Sequence, residues 1–564
     1  MAAAVSINLL PELMEAGMRR MLTPFRVWRR RNWFYRRLLK GPLTDHIAFQ
    51  PHDSCPRRLE DADALFKGRF RFHGEVVDVR PGVSVFDLTP PSPTWLEELH
   101  GFCWLASLAL AGGEASRTLA TNLIAQWVKR YGHYCEPQWS PHVTARRLMN
   151  IFSHGRLVVS NSDMVWRSRL FVSLREQVKM LERTAAEAPG GLPRLEAASA
   201  LALSGLCLSD NSRRLNAGLA RLEAEIARQI LPDGGHVSRS PEELLHAYRY
   251  LMMVKDGLAA ANEEPPHGLR NALDRMAPML RFFRHGDGAL ALFQGGGEGD
   301  AKMLAGLLAR DEVHGQPFHH ARHSGYQRLA AGRTLIQLDC GDVPKGDLSI
   351  EAHAGFLAFE MSSGLHRVVV NCGAGGKHKG WDAPLRATAA HSTMTLGDRS
   401  SADILSPGLA RDLLGPRLVG GPRETFTRRT ETALGWMVEA GHDAYVPDLG
   451  IRHERRITLS PQGTTMTGAD RLVPARPQRE AIAFTLRFHL HPEIRTSRLE
   501  SGAMLLKLPN GEGWRFRAGG GEPGVEESIY AGGEALRRTE QLVVTGKVHE
   551  SPIEVAWVFE QLIV

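Results

Sequence analysis

Up to about residue 310, apolar side chains recur every three or four positions. In LNAGLARLEAEIARQI, Leu215, Leu219, Leu222, Ile226 and Ile230 fall on one face of a helix. Pro232-Asp233-Gly234-Gly235 then ends it. The same period runs through 95–112, 115–130, 142–158, 165–184, 195–208, 242–260 and 268–284, with Gly, Pro or polar turns between most of them. The pattern predicts a series of helical hairpins without the fixed repeat of a known solenoid. An incomplete α/α toroid is one arrangement that buries the inner faces of so many hairpins.

Beyond 310–325 the period shortens. TLIQLDC (334–340), FLAFEMS (356–362), HRVVVN (366–371), RRITLS (455–460), AIAFTLRFHL (481–490) and EVAWVFEQL (554–562) are among more than ten short runs rich in β-branched and aromatic residues. No β-α-β alternation accompanies them, which argues against a parallel α/β fold and predicts antiparallel sheets stacked as a sandwich. The fold class is therefore multidomain α + β, an N-terminal incomplete α/α toroid followed by a C-terminal antiparallel β-sandwich. The expected divisions are 1–90 as a basic, aromatic lead-in, 91–310 as the toroid and 311–564 as the sandwich. The Gly- and His-rich stretch 285–325 reads as the connection.

Composition adds limits. With 564 residues, 43% apolar and 23% charged, the chain can build more than one core without metals or disulfides. A net charge of +7 suits an acidic partner, and equally a solvated surface with a mild basic excess. The six cysteines form no CxxC pair, and Cys207 sits in the apolar run LALSGLCL, so they read as buried thiols of a reducing compartment. Pro11, Glu12 and Glu15 interrupt any signal-like apolar run, and no stretch of 18 apolar residues occurs. These features favour a cytoplasmic location. The exception is Met18–Lys40, where arginines interleave with Phe25, Trp28, Trp33, Phe34 and Tyr35. This segment suits contact with an anionic membrane surface, or packing of its aromatics on the domain. No GxSxG, HExxH, Walker A or Rossmann motif stands in a supporting context, so nucleotide chemistry is not indicated and no nucleic-acid partner is expected.

Three clusters could carry chemistry. In QWSPHVTARRLMN, His142, Arg146 and Asn150 share one helical stripe, Trp139 offers a face for stacking a sugar, and Arg146 can bind a carboxylate. The alternative is a polar face on a surface helix. In DGGHVSRSPEELLHAYRY, a turn presents His236, Ser238 and Arg239, and Ser240-Pro241 opens a helix carrying Glu242, Glu243, Tyr248 and Tyr250. In the β half, His353, Asn371 and His391 lie at the edges of three strands. Two imidazoles and an oxygen suit a metal such as zinc; structural histidines beside strands are the commoner case.

Taken in this order, the clusters resemble the heparinase II/III family of polysaccharide lyases. ILPDGGHVSRSP is similar to that family's I-L-x-D-G-G-H-x-x-R-S-P turn, and AHAGFLAFEM, VVVNCGAGG and AAHSTMTLGD to its β-domain strands. The resemblance implies β-elimination on a uronate-containing acidic polysaccharide: a cation neutralises the uronate carboxylate, and a Tyr or His removes the C5 proton. For a lyase with altered catalytic groups, the nearest candidates here are Tyr248 and His236 with Arg194 or Arg239. The resemblance further implies Trp139, His142, Arg146 and Glu351 as substrate-binding residues, and a structural zinc at His353, Asn371 and His391. It also makes the periplasm the alternative location.

The departures from the family pattern are specific. Leu192-Pro193 stands where the family has Asn-His, with Arg194 the nearest replacement cation. Glu242-Glu243-Leu244 occupies the place of the catalytic tyrosine, and the first tyrosine is Tyr248. Asn371 replaces a ligating Asp, so any zinc should bind weakly or not at all, and Glu351 stands where some members have a second His. Two further readings follow: a catalytically degenerate member that binds an acidic glycan without cleaving it, and a glycoside hydrolase. The hydrolase would need a carboxylate pair roughly 5–10 Å apart, for which Glu242, Glu243 and Glu351 are the candidates.

Overall fold

A computed structural model describes residues 9–41, 46–160, 163–208, 212–311, 315–375 and 380–562. Residues 1–8 of the expected lead-in lie outside the described residues. The chain divides into two compact units. One holds Glu12–Ile230 with His246–Asp274; the other holds Met1–Pro11, Leu231–Leu245 and Arg275–Val564. The cut differs from residue 310/311 because the turn after Ile230 is bonded to the first β-strands, as described below.

The helical unit is the incomplete α/α toroid. Its helices include Pro93–His100, Gly113–Tyr131, Pro141–His154, Met164–Thr184, Leu192–Cys207 and Ser212–Gln229. Leu192–Cys207 buries every residue from Leu195 to Cys207 except Gly205, as expected for a helix that is apolar on all sides. On Ser212–Gln229 the anticipated stripe is buried at Leu215, Leu222 and Ile226, but Leu219 is only half-buried. Gly218 takes part in the contact instead: a Cβ there would stand 2.7 Å from the backbone nitrogen of Ala202. Gly205 does the same against Leu215, where a Cβ would lie 2.6 Å from its Cα. Two glycines thus let these helices pack backbone to backbone, closer than an apolar period alone indicates. The lead-in also contains a hairpin, Arg69–Phe72 with Glu75–Asp78, that the helical pattern does not anticipate.

The other unit is the antiparallel sandwich. An eight-stranded sheet runs in the order Thr425–Thr432, Gly435–His442, Ile451–Leu459, Thr465–Pro474, Ile553–Leu562, Gly513–Gly519, Met504–Lys507, Arg495–Arg498. A nine-stranded sheet is centred on Ile482–Leu490, Arg537–Val548, His366–Val370 and Phe359–Ser363. Alternation along the strands sends Phe359, Phe488, Phe516, Trp557 and Phe559 into one core, with Phe359 and Trp557 stacked at 5.6 Å. Within it, buried Asp470 accepts from Arg455, His453 and Trp557, and its carboxyl is held down at about 2: burial raises it, but Arg455 and His453 outweigh that.

Candidate functional site

In the helical unit, Pro141–His154 places His142, Arg146 and Asn150 on one stripe, as their spacing predicts. The stripe faces protein. His142 Nε2 lies 3.1 Å from Glu97 Oε1, and Asn150 Nδ2 donates to the Gly101 carbonyl at 2.9 Å. Arg146 donates to both oxygens of Glu196, at 3.1 and 3.2 Å, and to Glu98 Oε1 at 2.9 Å. Glu196 is 1% exposed and also accepts the Tyr250 hydroxyl at 2.9 Å. Burial pushes Glu98 up, but Arg146 and His73 outweigh it and hold its carboxyl at about 2. Burial, and then Glu196, push the Tyr250 phenol well above its ordinary range.

Trp139 corrects an expectation. Its ring is buried, stacked near Trp127, and its indole N–H donates to the Tyr131 carbonyl at 2.8 Å. It belongs to an aromatic core around the guanidinium of Arg147 and presents no face to a sugar. Tyr248, expected to transfer the C5 proton, is likewise buried, on helix Pro241–Ala260 at 1% exposure. Arg194 is the one cation of the expected set with no carboxylate on it among the described residues; its guanidinium donates to the Ala188 carbonyl at 3.0 and 2.8 Å.

In the other unit, the turn Asp233–Ser240 is a brace. Asp233 accepts from the amides of His323 and Ser324 at 2.8 and 2.7 Å, and from the Ser324 hydroxyl at 2.8 Å. Gly234 has φ +87°, and a Cβ there would stand 2.1 Å from the Arg275 carbonyl oxygen; only glycine fits. Arg239 is buried, with φ +62°. It donates to the carbonyls of Ser324 (2.8 Å) and Asp342 (2.7 Å), pairs with buried Asp339, and lies over the Tyr326 ring. Tyr326 in turn donates to the Arg239 carbonyl. Arg239 is therefore a clasp between the turn and the first strands, which corrects its expected role toward substrate. His236 is 1% exposed, with Nδ1 2.7 Å from Ser238 Oγ and 3.3 Å from Glu243 Oε2. Glu242 accepts from the Gly297 amide at 2.7 Å. Glu351 is at the surface, and its carboxyl is raised by loss of solvent, then by Asp382. Glu242 and Glu243 are thus held by the Gly297 amide and by His236.

The structure does bring the metal candidates together. The rings of His353 and His391 meet edge to face at 5.2 Å, and Ser392, next in the chain, donates its amide to Asn371 Oδ1 at 3.1 Å. Asn371 Nδ2 faces Glu360, which also binds the Asn371 amide and His285. His391 Nε2 is buried without a hydrogen-bond partner among the described residues, but Asn371 and Glu360 already have theirs. Among the described residues no group of three or more His, Cys, Asp or Glu side chains is placed to hold a metal. Two neutral nitrogens, beside a Glu360 carboxylate already bound to Asn371 and His285, do not fit a zinc site. Burial holds both imidazoles uncharged, His391 at about 4 and His353 well below its ordinary value.

Elimination needs a cation open to a uronate carboxylate and a base that ionises near neutral pH. Arg146 and Arg239 already hold carboxylates, and Arg194, which does not, is tied to the Ala188 carbonyl. Tyr250, Tyr326 and Tyr530 are all pushed up by burial, the opposite of what a phenolate base requires. Sequence reasoning missed Glu98 and Glu196, which lie 48 and 50 residues from Arg146. One signal was available: Glu196 is the single acidic residue in LPRLEAASALALSGLC, and a charge inside an apolar helix needs a buried partner.

Comparison with known proteins places these observations. Residues 313–558 match the family model "Heparinase II/III-like, C-terminal". FtsZ-localized protein C of Caulobacter vibrioides is 29% identical over 543 residues, covering 93% of each chain. Among solved structures, heparinase III superposes with a TM-score of 0.71 over 98% of this chain and 91% of that one, at 14% identity. A mutant of the heparan sulfate lyase HepC from Pedobacter heparinus gives 0.62 over 94% and 88%, at 15% identity. At these identities the structures establish the fold.

Proposed function

We propose that this chain, a member of the heparinase II/III family through residues 313–558, keeps the family's fold without its elimination chemistry and acts as a non-catalytic protein that associates with FtsZ. The observation that carries the first part is Arg146. Arg146, which the sequence offered for binding a substrate carboxylate, is held by both oxygens of Glu196 and by Glu98. An incoming carboxylate would meet Glu97, Glu98 and Glu196 and would have to displace a buried, hydrogen-bonded partner, at a cost of about 3–5 kcal/mol. The same glutamates argue against retained binding of an acidic glycan at this stripe.

The second part is supported by the relative of like length. The similarity to FtsZ-localized protein C extends over 93% of both chains, at about twice the identity shared with the lyases. Co-sedimentation tests it. Purified chain mixed with assembled FtsZ should pellet with the polymer and stay in solution with unassembled FtsZ. Recovery in the supernatant under both conditions would overturn the association.

A further inference from the structure

Helix Leu10–Arg31 and the short helix Trp33–Leu38 are oriented opposite to ordinary surface helices. Polar groups hold them to the protein. Arg30 is 5% exposed, donates to the Tyr134 hydroxyl at 3.1 Å and pairs with Glu187; Arg26 lies 3.6 Å from the same carboxylate. From helix Met164–Thr184, Lys179 donates to the Lys40 carbonyl at 2.7 Å and Arg175 to the Gly41 carbonyl at 3.0 Å. The apolar residues point away. Met14, Met18, Met21, Phe25 and Trp28 step by four and three residues, so they form one stripe, and each is 56–76% exposed. Trp33, Phe34 and Leu38 continue it, all more than half exposed. An apolar stripe of this length facing solvent requires a covering surface.

Charge identifies that surface. Residues 10–40 contain nine basic and two acidic residues. Arg19, Arg29, Arg31 and Arg37 are exposed beside the rings, and the Arg37 guanidinium lies 4.8 Å over Trp33. A second copy of the chain would bring the same arginines against one another. An acidic surface with an apolar interior satisfies both the stripe and its flanks, and interfacial Trp with Arg is the composition that lies in a headgroup layer. Among the described residues no helix is long and apolar enough to cross a membrane, so the contact is lateral.

We propose that Leu10–Leu38 docks this chain on an anionic lipid bilayer, with Met14 to Trp28 in the acyl boundary and the arginines at the headgroups. The inference is independent of any role with FtsZ or glycans. Flotation of the full chain with vesicles tests it. Vesicles of phosphatidylglycerol and phosphatidylcholine should carry the protein, and phosphatidylcholine alone should carry roughly tenfold less or lower, with binding weakened by salt. Phe25→Ser with Trp28→Ser should cut binding by about tenfold or more, as should Arg29→Glu with Arg31→Glu. All four side chains are exposed, so the melting temperature should stay at the wild-type value. Wild-type chain that remains unbound to anionic vesicles, or binds both lipids equally, overturns the proposal. So does a chain that sediments as a dimer without lipid and becomes monomeric in the Phe25/Trp28 variant, because the stripe would then be covered by a second copy.

Discussion

Replacing Arg146 by methionine separates a structural arginine from a substrate-binding one. The substitution keeps most of the volume and removes the charge that holds Glu196 and Glu98. Glu196 is 1% exposed, so its carboxylate would be left buried with the Tyr250 hydroxyl as its remaining hydrogen bond. Breaking a buried pair from one side costs about 3–5 kcal/mol. The Arg146 side chain is 25% exposed, and water entry at that edge brings the expectation to about 3 kcal/mol. For a unit of this size each kcal/mol lowers the melting temperature by about 2–4 °C, so a fall of roughly 6–12 °C is expected. Thermal unfolding followed by circular dichroism measures it. Glu196→Gln alone and combined with Arg146→Met should return a coupling energy of about 1–3 kcal/mol. A melting temperature unchanged or raised in Arg146→Met would refute the reasoning, because removing a group held ready for a ligand typically leaves stability intact or improves it.

Other outcomes follow from the turn and the sandwich. Gly234→Ala forces a Cβ onto the Arg275 carbonyl at positive φ, and should lower the urea midpoint by an amount equivalent to about 2–4 kcal/mol; an unchanged midpoint would show that the turn can relax. His391 has its pKa lowered from 6.5 to about 4 by burial. The unfolded chain therefore binds the extra proton first, and stability present above pH 6.5 is lost as pH falls toward 4, by up to about 3 kcal/mol from this group. Urea unfolding between pH 7 and pH 4.5 should show that loss, and His391→Gln should flatten the slope by up to one proton; an identical slope contradicts it. Chelator-washed protein dialysed against zinc should return much less than one metal per chain by elemental analysis, and stoichiometric zinc would overturn the reading of Asn371.

The legible and illegible parts of the chain differ in the range of their causes. Helical and two-residue periods are local, so the toroid, the sandwich and the Ser240-Pro241 helix start were visible in the sequence. Ser240 Oγ does accept the Glu243 amide, at 3.4 Å. The backbone contacts at Gly205 and Gly218 were not, because a missing side chain leaves no period. The functional stripe was misread for a related reason. Spacing placed His142, Arg146 and Asn150 on one face correctly, but whether that face meets solvent depends on Glu97, Glu98 and Glu196, supplied by other helices. Asp233 and Arg239 illustrate the same limit: a motif so well defined was read as chemistry, whereas both charges brace a turn against strands about 90–100 residues away.

The proposed loss of elimination chemistry is tested most directly by incubating the purified chain with a panel of uronate polymers and following the ultraviolet absorbance of the unsaturated uronate that β-elimination forms. The account predicts a trace that matches the enzyme-free control for every polymer. A time-dependent rise with any one of them, lost in Arg146→Met, would contradict it and assign Arg146 to substrate.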